Sequence, residues 1–368
     1  MITIDVIDDP AAFAALRKEW NALLAASRAD CIFLTWEWLH TWWTHLGDGK
    51  QLFIVAVRRD SKLIALAPLT MTRAFSMRTL EFAGTGSVGS DYLDFIVDPA
   101  HEHSAIEAIT EFLAAAGFSL RLPSVKEDSV VASAFVKSLS ARGWRSRQVA
   151  MQVSPFIDLS SRGWDSYLSA LGSSHRYNFR RRLRNLEKDY SVRFERAESD
   201  EECQTALRQV VDLHLRRWTM RGGSDGFHDQ RLLTFHQEFI GLARQEGWLR
   251  LRILTLNGQP AGAFYGFRYG RKYYFYQSGF DEAFLRQSVG LVTIGLTIRE
   301  AIDEGAAEYD MLHGDESYKL LWANEVRPLF RFELYPPGVI GRVHRDSAIA
   351  VATTKKIVKR ALYAPLNR

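Results

Sequence analysis

Residues 248–280, WLRLRILTLNGQPAGAFYGFRYGRKYYFYQSGF, constrain the fold more than any other part of the chain. Asn257-Gly258 is a hairpin signal, because both residues accept the positive φ of a two-residue turn. A second turn at Gly270-Arg271 divides the remainder, so the segment predicts three successive antiparallel strands. A polar loop and a helix entered at Gly290 follow directly. Leu291, Ile294, Ile298, Ala301 and Ile302 share one face of that helix, and Gly305 can end it. AEYDMLHG and VRPLFRFELY then read as further strands.

The first half repeats this order loosely. QLFIVAVRRDSKLIALAPLTMTR reads as two strands over a turn at Asp60-Ser61, DYLDFIVD as a strand and SAIEAITEFLAAAG as a helix. Helical spacing precedes each block, at residues 11–26 and in TWEWLHTWWTHLG, then at 164–171, 175–188, 201–221 and 230–245. Two copies of one α/β unit are the expectation. Trp36, Trp38, Trp42 and Trp43 crowd one segment and are expected in the core. The basic tail, RVHRDSAIAVATTKKIVKRALYAPLNR, reads as an appended surface helix.

At 368 residues the chain is long enough for two cores. Hydrophobic content of 47% and charged content of 24% are those of an ordinary globular protein, and the net charge of +4 does not describe a DNA binder. Cys31 and Cys203 stand far apart, with neither a CxxC motif nor a Cys/His cluster, so no metal site is expected and a reducing compartment fits. The acidic start MITIDVIDDP is unlike a secretory signal. No run reaches the ~18–20 apolar residues of a membrane span. The expectation is a cytoplasmic protein.

A helix start exposes N–H groups without intrahelical partners and carries about half a positive charge, so it can hold a phosphate where glycine lets the backbone approach. In RQSVGL, Gly290 stands at the helix entry. Arg286 can add a charge-assisted contact, and Gln287 or Ser288 a neutral one. In SSHRYNFRRRLRNLEK, Ser174 can cap a helix whose Phe179, Leu183 and Leu186 form a buried seam. Arg176, Arg180, Arg181, Arg182 and Arg184 stay mostly outside it, as a solvated face or a contact for one anionic ligand. The glycines of GTGSVGSDYLDF lead into no helix and read as a turn.

The order of meander, loop, helix and strand resembles the CoA-binding core of the GNAT acyltransferases, whose pyrophosphate loop follows Q/R-x-x-G-x-G/A. Gln287, Ser288, Val289 and Gly290 match its first half. Val292 or Ile294 stands where the second small residue would fall, which is a departure. YYFYQSGFDEAFLRQSVG, EYDMLHGDESYKLLWA, SSHRYNFRRRLRNLEK and LHLRRWTMRG together resemble the CelD/BcsL family of GNAT-type acetyltransferases, linked with cellulose and exopolysaccharide synthesis. FLTWEWLHTWW and SDYLDFIV extend the likeness into the first half. That family is similar in turn to the Fem-type peptidyl transferases, which carry two GNAT-like domains.

The resemblance implies an α/β fold of two GNAT-like domains in tandem, each a mixed, mostly antiparallel sheet flanked by helices. A degenerate domain would occupy residues 1–157, the acyltransferase domain 158–336 and the basic tail 337–368. It implies an acyl-CoA donor, no metal, and an amine or hydroxyl acceptor on a small molecule, saccharide or peptide. Gln277 and Ser278, with residues 286–290, would hold CoA, and the backbone of 276–279 would face the acyl group. Tyr318 would be the acid, with Tyr276 second. His313, Asp315 and Glu316 are the candidate bases, with Asp281 and Asp310 as further options. Asp91, Tyr92 and Asp94, matching a DY-x-D motif, would reach an acceptor at the domain interface; Trp218, Tyr276 and Asp281 would also bind substrate, and Lys319 would either touch a ligand or pair with a carboxylate. An aminoacyl-tRNA-dependent transferase of the Fem type is the alternative, although no long coiled-coil heptad pattern is present. A catalytically silent GNAT-like binding module is another.

Overall fold

Two hairpins form as their turn residues dictate. Asn257 and Gly258 adopt φ of 51° and 80°, and Asp60 and Ser61 adopt 48° and 68°, so both residues of each turn take the left-handed conformation. The computed structural model describes residues 1–74, 77–160, 163–219, 229–339 and 341–350. Its first half contains β1 (Ile2–Ile7), α1 (Pro10–Ala15), α2 (Arg17–Ala26), α3 (Trp36–Leu46), β2 (Gln51–Arg59), β3 (Lys62–Ala74), β4 (Met77–Phe82), β5 (Ile96–Val97), α4 (Glu102–Ala116), β6 (Ser119–Lys126), α5 (Val136–Ala141) and β7 (Arg145–Asp158). The second contains α6 (Trp164–Ala170), α7 (Ser173–Asp189), β8 (Val192–Arg196), α8 (Asp200–Thr219), α9 (Gln230–Gln245), β9 (Leu249–Leu256), β10 (Gln259–Tyr269), β11 (Lys272–Phe280), α10 (Val289–Asp303), β12 (Glu308–Asp310), α11 (Ser317–Leu320) and β13 (Glu325–Tyr335). Of the tail, residues 341–350 are helical; the expected helix at 351–368 lies outside the described residues.

The expected duplication is visible in the order of elements. β2, β3 and β4 with α4, β6, α5 and β7 correspond to β9, β10 and β11 with α10, β12, α11 and β13. All strands join one sheet in the order β1-β2-β3-β4-β6-β13-β7-β12-β11-β10-β9-β8, with β5 paired to β3. The pairings are antiparallel except β4 with β6 and β11 with β12. It is a mixed, mostly antiparallel sheet flanked by helices. The last strands are exchanged: β7 lies beside β12 of the second half, and β13 beside β6 of the first. The sheet therefore crosses residue 157 without a break, and we keep 1–157 and 158–336 as proposed units of the duplication.

A shared core fastens the halves together. Trp36, Trp38 and Trp42 are buried. The Trp38 ring meets Phe33 of its own half and Phe235, Phe239 and Phe267 of the other, all edge-on at 4.7–6.2 Å between centroids. DYLDFIVD departs from the expected strand, since only Ile96–Val97 is extended in the sheet. Asp91 and Asp94 spend their carboxylates on backbone N–H groups elsewhere, and Tyr92 takes a φ of 60°, so a loop replaces the ladder.

Gly279 has a steric reason. A Cβ there would lie 2.7 Å from the His214 nitrogen and the Leu213 carbonyl carbon, so α8 can cross β11 only over a glycine. Gly279→Ala is expected to lower stability by about 1–3 kcal/mol, the usual range for overpacking. Urea denaturation reads this directly, and an unchanged midpoint would show that α8 can lift.

Candidate active site

β11 and β12 run side by side for three residue pairs only: Lys272 with Glu308, Tyr273 with Tyr309 and Tyr274 with Asp310. Beyond Tyr274 they separate. The register of β11 against β10 also slips there, pairing Tyr265 with Gln277 but Gly266 with Phe275, so Tyr276 is the extra residue of a bulge. A bulge disrupts the local ladder. Residues 275–278 thus bring irregular backbone to the gap that the diverging strands open.

Two cavities meet in this gap. One, of about 550 Å³, runs along the start of α10 and is lined by Ser288, Val289, Gly290, Leu291, Ile294 and Trp322 among others. The other, of about 790 Å³, lies between the halves, against Val88, Gln152, His214, Gln277, His313 and Leu329 among others. Ser278, Glu316 and Tyr318 line both. At the end of the first cavity, Ser288 enters α10 with φ 58° and ψ 43° and makes no side-chain cap. The first 5→1 helical bond runs from the Val292 nitrogen to the Ser288 carbonyl. The N–H groups of Val289, Gly290 and Leu291 therefore lack intrahelical acceptors and carry the positive end of the dipole.

The central cavity is organised around His313. Its Nδ1 lies 2.8 Å from Asp91 Oδ1, and its backbone N–H donates to Asp91 Oδ2 at 2.8 Å. The Asp91 side chain is 1% exposed and that of His313 38%. The carboxylate fixes the proton on Nδ1, which leaves Nε2 as the basic nitrogen. The Asp91 charge, outweighing the opposing effect of burial, holds the His313 imidazole above the ordinary histidine range. The loop behind it is held from both ends. Leu312 takes φ 54°, its N–H bonded to Asp310 Oδ1 at 2.8 Å, and Lys319 Nζ donates to the His313 carbonyl at 2.6 Å. A non-glycine residue at positive φ beside His313 is strain that the surrounding bonds maintain.

The structure thus joins two residues 222 positions apart that the sequence reading gave different roles. Ser278, Ser288, Val289 and Gly290 line the helix-side cavity, and Gln277, Tyr276, Asp315, Glu316 and Tyr318 the central one. Other expectations are corrected. Arg286 and Gln287 line neither cavity, and the Gln287 amide turns to the Tyr190 hydroxyl at 3.0 Å. For Lys319 the carboxylate alternative is the one present: it lines the central cavity at 5% exposure, and its ammonium clamps the His313 carbonyl and pairs with Glu316 at 3.2 Å. The Tyr276 hydroxyl donates to the Val88 carbonyl at 2.6 Å, tying the halves together.

Asp94 accepts from the N–H groups of Phe95, Val130 and Val131, so it braces a buried turn instead of an acceptor. Tyr92 is buried under Arg327, whose guanidinium stands 5.3 Å from its ring. Asp281 caps the short 3-10 helix Glu282–Gln287 before α10, accepting from the Ala283 N–H at 2.9 Å. Asp310 is fully buried and paired with Arg327 at 3.3 Å. The Trp218 side chain lies outside the described residues. His214 and Trp322 line the cavities without having been singled out; each stands in a quoted motif, but only packing brings them to the gap. Arg327 was hidden in a strand pattern. Among the described residues, no group of three or more metal-binding side chains occurs, and no helix is long and apolar enough to cross a membrane.

Residues 173–320 match the family model described as an acetyltransferase (GNAT) domain. The second half carries a GNAT-type acetyltransferase domain. The diverging β11 and β12, the bulge and the start of α10 all lie within the matched GNAT segment. No curated protein sequence matches this chain. In fold it is similar to the crystal structure of FemX, with a TM-score of 0.60 at 13% identity, over 86% of this chain and 95% of that one. It is also similar to the C-terminal domain (DUF2156) of a putative lysylphosphatidylglycerol synthetase from Agrobacterium fabrum. There the TM-score is 0.54 at 11% identity, covering 93% and 96% of the two chains. L-PGS from Bacillus licheniformis gives 0.53 at 12% identity, covering 96% and 97%. At such identities the likeness is one of fold.

Proposed function

We propose that this protein is an acyltransferase that takes an acyl group from acyl-CoA and passes it to an amine or hydroxyl in the central cavity. The observation that carries the reading is the His313–Asp91 pair, standing across a shared wall from a GNAT-type helix entry. The chain's residues fit such a donor. The N–H groups of residues 289–291 would hold its phosphates, and Leu291, Ile294 and Trp322 give its arm an apolar wall. When bound, acyl-CoA supplies the acyl group as a reactive thioester. His313 Nε2 accepts the acceptor's proton while Asp91 stabilises the resulting imidazolium. Backbone N–H from residues 275–278 stabilises charge on the acyl oxygen. Tyr318, a residue that lines both cavities, protonates the departing sulfur through its hydroxyl. The motif resemblance to the CelD/BcsL family supports a saccharide or peptide acceptor in polysaccharide or envelope metabolism.

Calorimetric titration with acetyl-CoA tests the donor site, using Ser288→Asp as the control. Aspartate tolerates the left-handed conformation, and its charge favours a helix start, so the variant is expected to fold with an undiminished melting temperature. It should bind acetyl-CoA at least about tenfold more weakly, from repulsion of about 1.4 kcal/mol or more. Equal affinity in the two proteins would remove the donor from this helix end.

A second reading, an aminoacyl-tRNA-dependent transferase of the Fem type, is supported by the fold likeness to FemX over 86% of the chain. Binding of charged tRNA together with no affinity for acetyl-CoA at millimolar concentration would replace the first reading with this one. Turnover with any acceptor excludes a silent binding module.

A further inference from the structure

Helix α7 forms one side of the mouth of the helix-side cavity. His175, in its first turn, lines that cavity, and Phe179 packs against Trp322 on its wall. Arg182 donates to the carbonyl of Arg286 at 2.6 Å, which fixes α7 against the loop that carries Leu285, another lining residue. The helix holds six cations against two carboxylates, a surplus of four that equals the net charge of the whole chain. Arg180, Arg184 and Lys188 recur every four residues and form a single exposed row, whereas Arg176, one turn earlier, is half-buried and donates to the carbonyls of Ser169 and Leu171 at 2.6 and 3.4 Å.

This row differs from the arginines elsewhere. Arg244, Arg250, Arg252 and Arg327 pair with carboxylates at 2.5–2.9 Å. Among the described residues, Arg180, Arg184, Lys188 and Arg286 are exposed and take part in no ion pair. Large apolar side chains stand exposed on α7, on the segment before α10 and just after α11: Tyr177 at 58%, Leu285 at 62% and Leu321 at 54%. Leu285 and Leu321 rim the cavity itself.

We infer that this mouth is a docking surface for a small acidic carrier protein, which delivers its acyl group as a thioester on a phosphopantetheine arm. The inference rests on the acyltransferase reading and names the form in which the donor arrives. Three features favour it. An exposed basic row without acidic partners is complementary to an acidic surface and steers its approach. The exposed apolar residues at the cavity supply contact area that a free nucleotide does not use, and an apolar centre bordered by polar groups is what a protein partner buries. The phosphate loop is also sparse: Arg286 and Gln287 lie outside the cavity, and Val292 stands near where a second small residue would deepen it. The cavity of about 550 Å³ holds an arm and leaves the bulk of its carrier outside, against α7. The chemistry is the same as with acyl-CoA. The thioester C–S bond breaks, the acyl group bonds to the acceptor's nitrogen or oxygen, and the acceptor's proton is returned to the carrier's sulfur.

The test is biolayer interferometry on the full chain, with a purified bacterial acyl carrier protein bearing a hexanoyl group on its arm, the same carrier without the arm, and bulk tRNA. Acetyl-CoA is titrated in parallel by calorimetry. The variant is Arg180→Glu/Arg184→Glu, at two exposed sites. The expected result is that the acylated carrier binds at least about tenfold more tightly than acetyl-CoA and loses at least tenfold in the variant. Acetyl-CoA affinity should change less than threefold in the variant, and raising salt should weaken the carrier more steeply than acetyl-CoA. Binding of acetyl-CoA without the carrier overturns the inference and leaves the acyltransferase reading standing. Binding of neither thioester overturns both. Equal losses for carrier and acetyl-CoA assign the row to nucleotide phosphate, and tRNA binding that is lost in the variant assigns it to RNA; either overturns the inference.

Discussion

His313→Asn is expected to lower kcat by about 10²–10⁴-fold, the range that a positioned general base contributes. An amide of similar size keeps the loop packed but takes no proton. Asp91→Asn should also act on the proton. Its side-chain oxygen can still accept the His313 backbone N–H, but the charge that holds the imidazole in its raised range is gone. Wild-type kcat/KM should rise with pH through a midpoint above the ordinary histidine value, because only neutral imidazole serves as base. In Asp91→Asn that midpoint moves to lower pH, and kcat falls. Glu316→Gln and Asp315→Asn, the other candidate bases, change exposed side chains and should alter kcat by less than about threefold. A shared loss in all four variants, with no shift of the midpoint, would take the base away from His313.

The raised value has a consequence for stability as well. Protonation of His313 is favoured in the folded state, so its contribution is complete below the unfolded value of about 6.5. It is lost as pH rises through the folded value. Activity and this contribution therefore change in opposite directions over one pH interval.

Arg327→Met should be the most destabilising of these substitutions, by about 3–5 kcal/mol, as expected when one partner of a buried ion network is removed. Arg327 lies on β13, the exchanged strand. Its guanidinium reaches Glu308 at 2.9 Å and Asp310 at 3.3 Å on β12, and stands 4.1 Å from the Phe156 ring on β7. One side chain thus ties three adjacent strands together behind the candidate site. Burial, with the Glu308 charge, already raises the Asp310 carboxyl to about 6, against the opposing pull of Arg327. Without the guanidinium it rises further. Because a raised folded value favours the protonated form, the loss should be full near pH 8 and shrink as pH falls toward 5. Urea titrations at the two pH values measure this; a uniform loss would mean that the network is held by packing alone. Asp310 also bonds the Leu312 N–H, so the variant should loosen the His313 loop and lose activity before it unfolds.

Much of the architecture was legible because it is local. Asn257-Gly258 and Asp60-Ser61 specify their turns through backbone sterics, and the apolar face of α10 needs only a period of 3.6. The loop around Asp91 was not legible. DYLDFIVD has the composition of a strand, and its aspartates leave the ladder only because distant N–H groups at Val130 and His313 offer them partners. Arg286 was misplaced for a related reason: a charged side chain in a motif reads as a ligand contact until its neighbours are known. Tyr276 likewise looks like a free hydroxyl in sequence and is committed to Val88 in the fold.

The sequence by itself determined the repeated order of strands and helices, the helix entry at Gly290, and the polar loop carrying His313. Each depends on residues within a few positions of one another, where turn sterics and helical or strand periodicity act. Only the tertiary structure decided that β7 and β13 change places, that Asp91 faces His313, and that Arg327 locks the strands behind them. Those relations span up to 222 residues. No local period encodes them, since they arise when two half-sheets, each with an open edge, satisfy their backbone hydrogen bonds against one another.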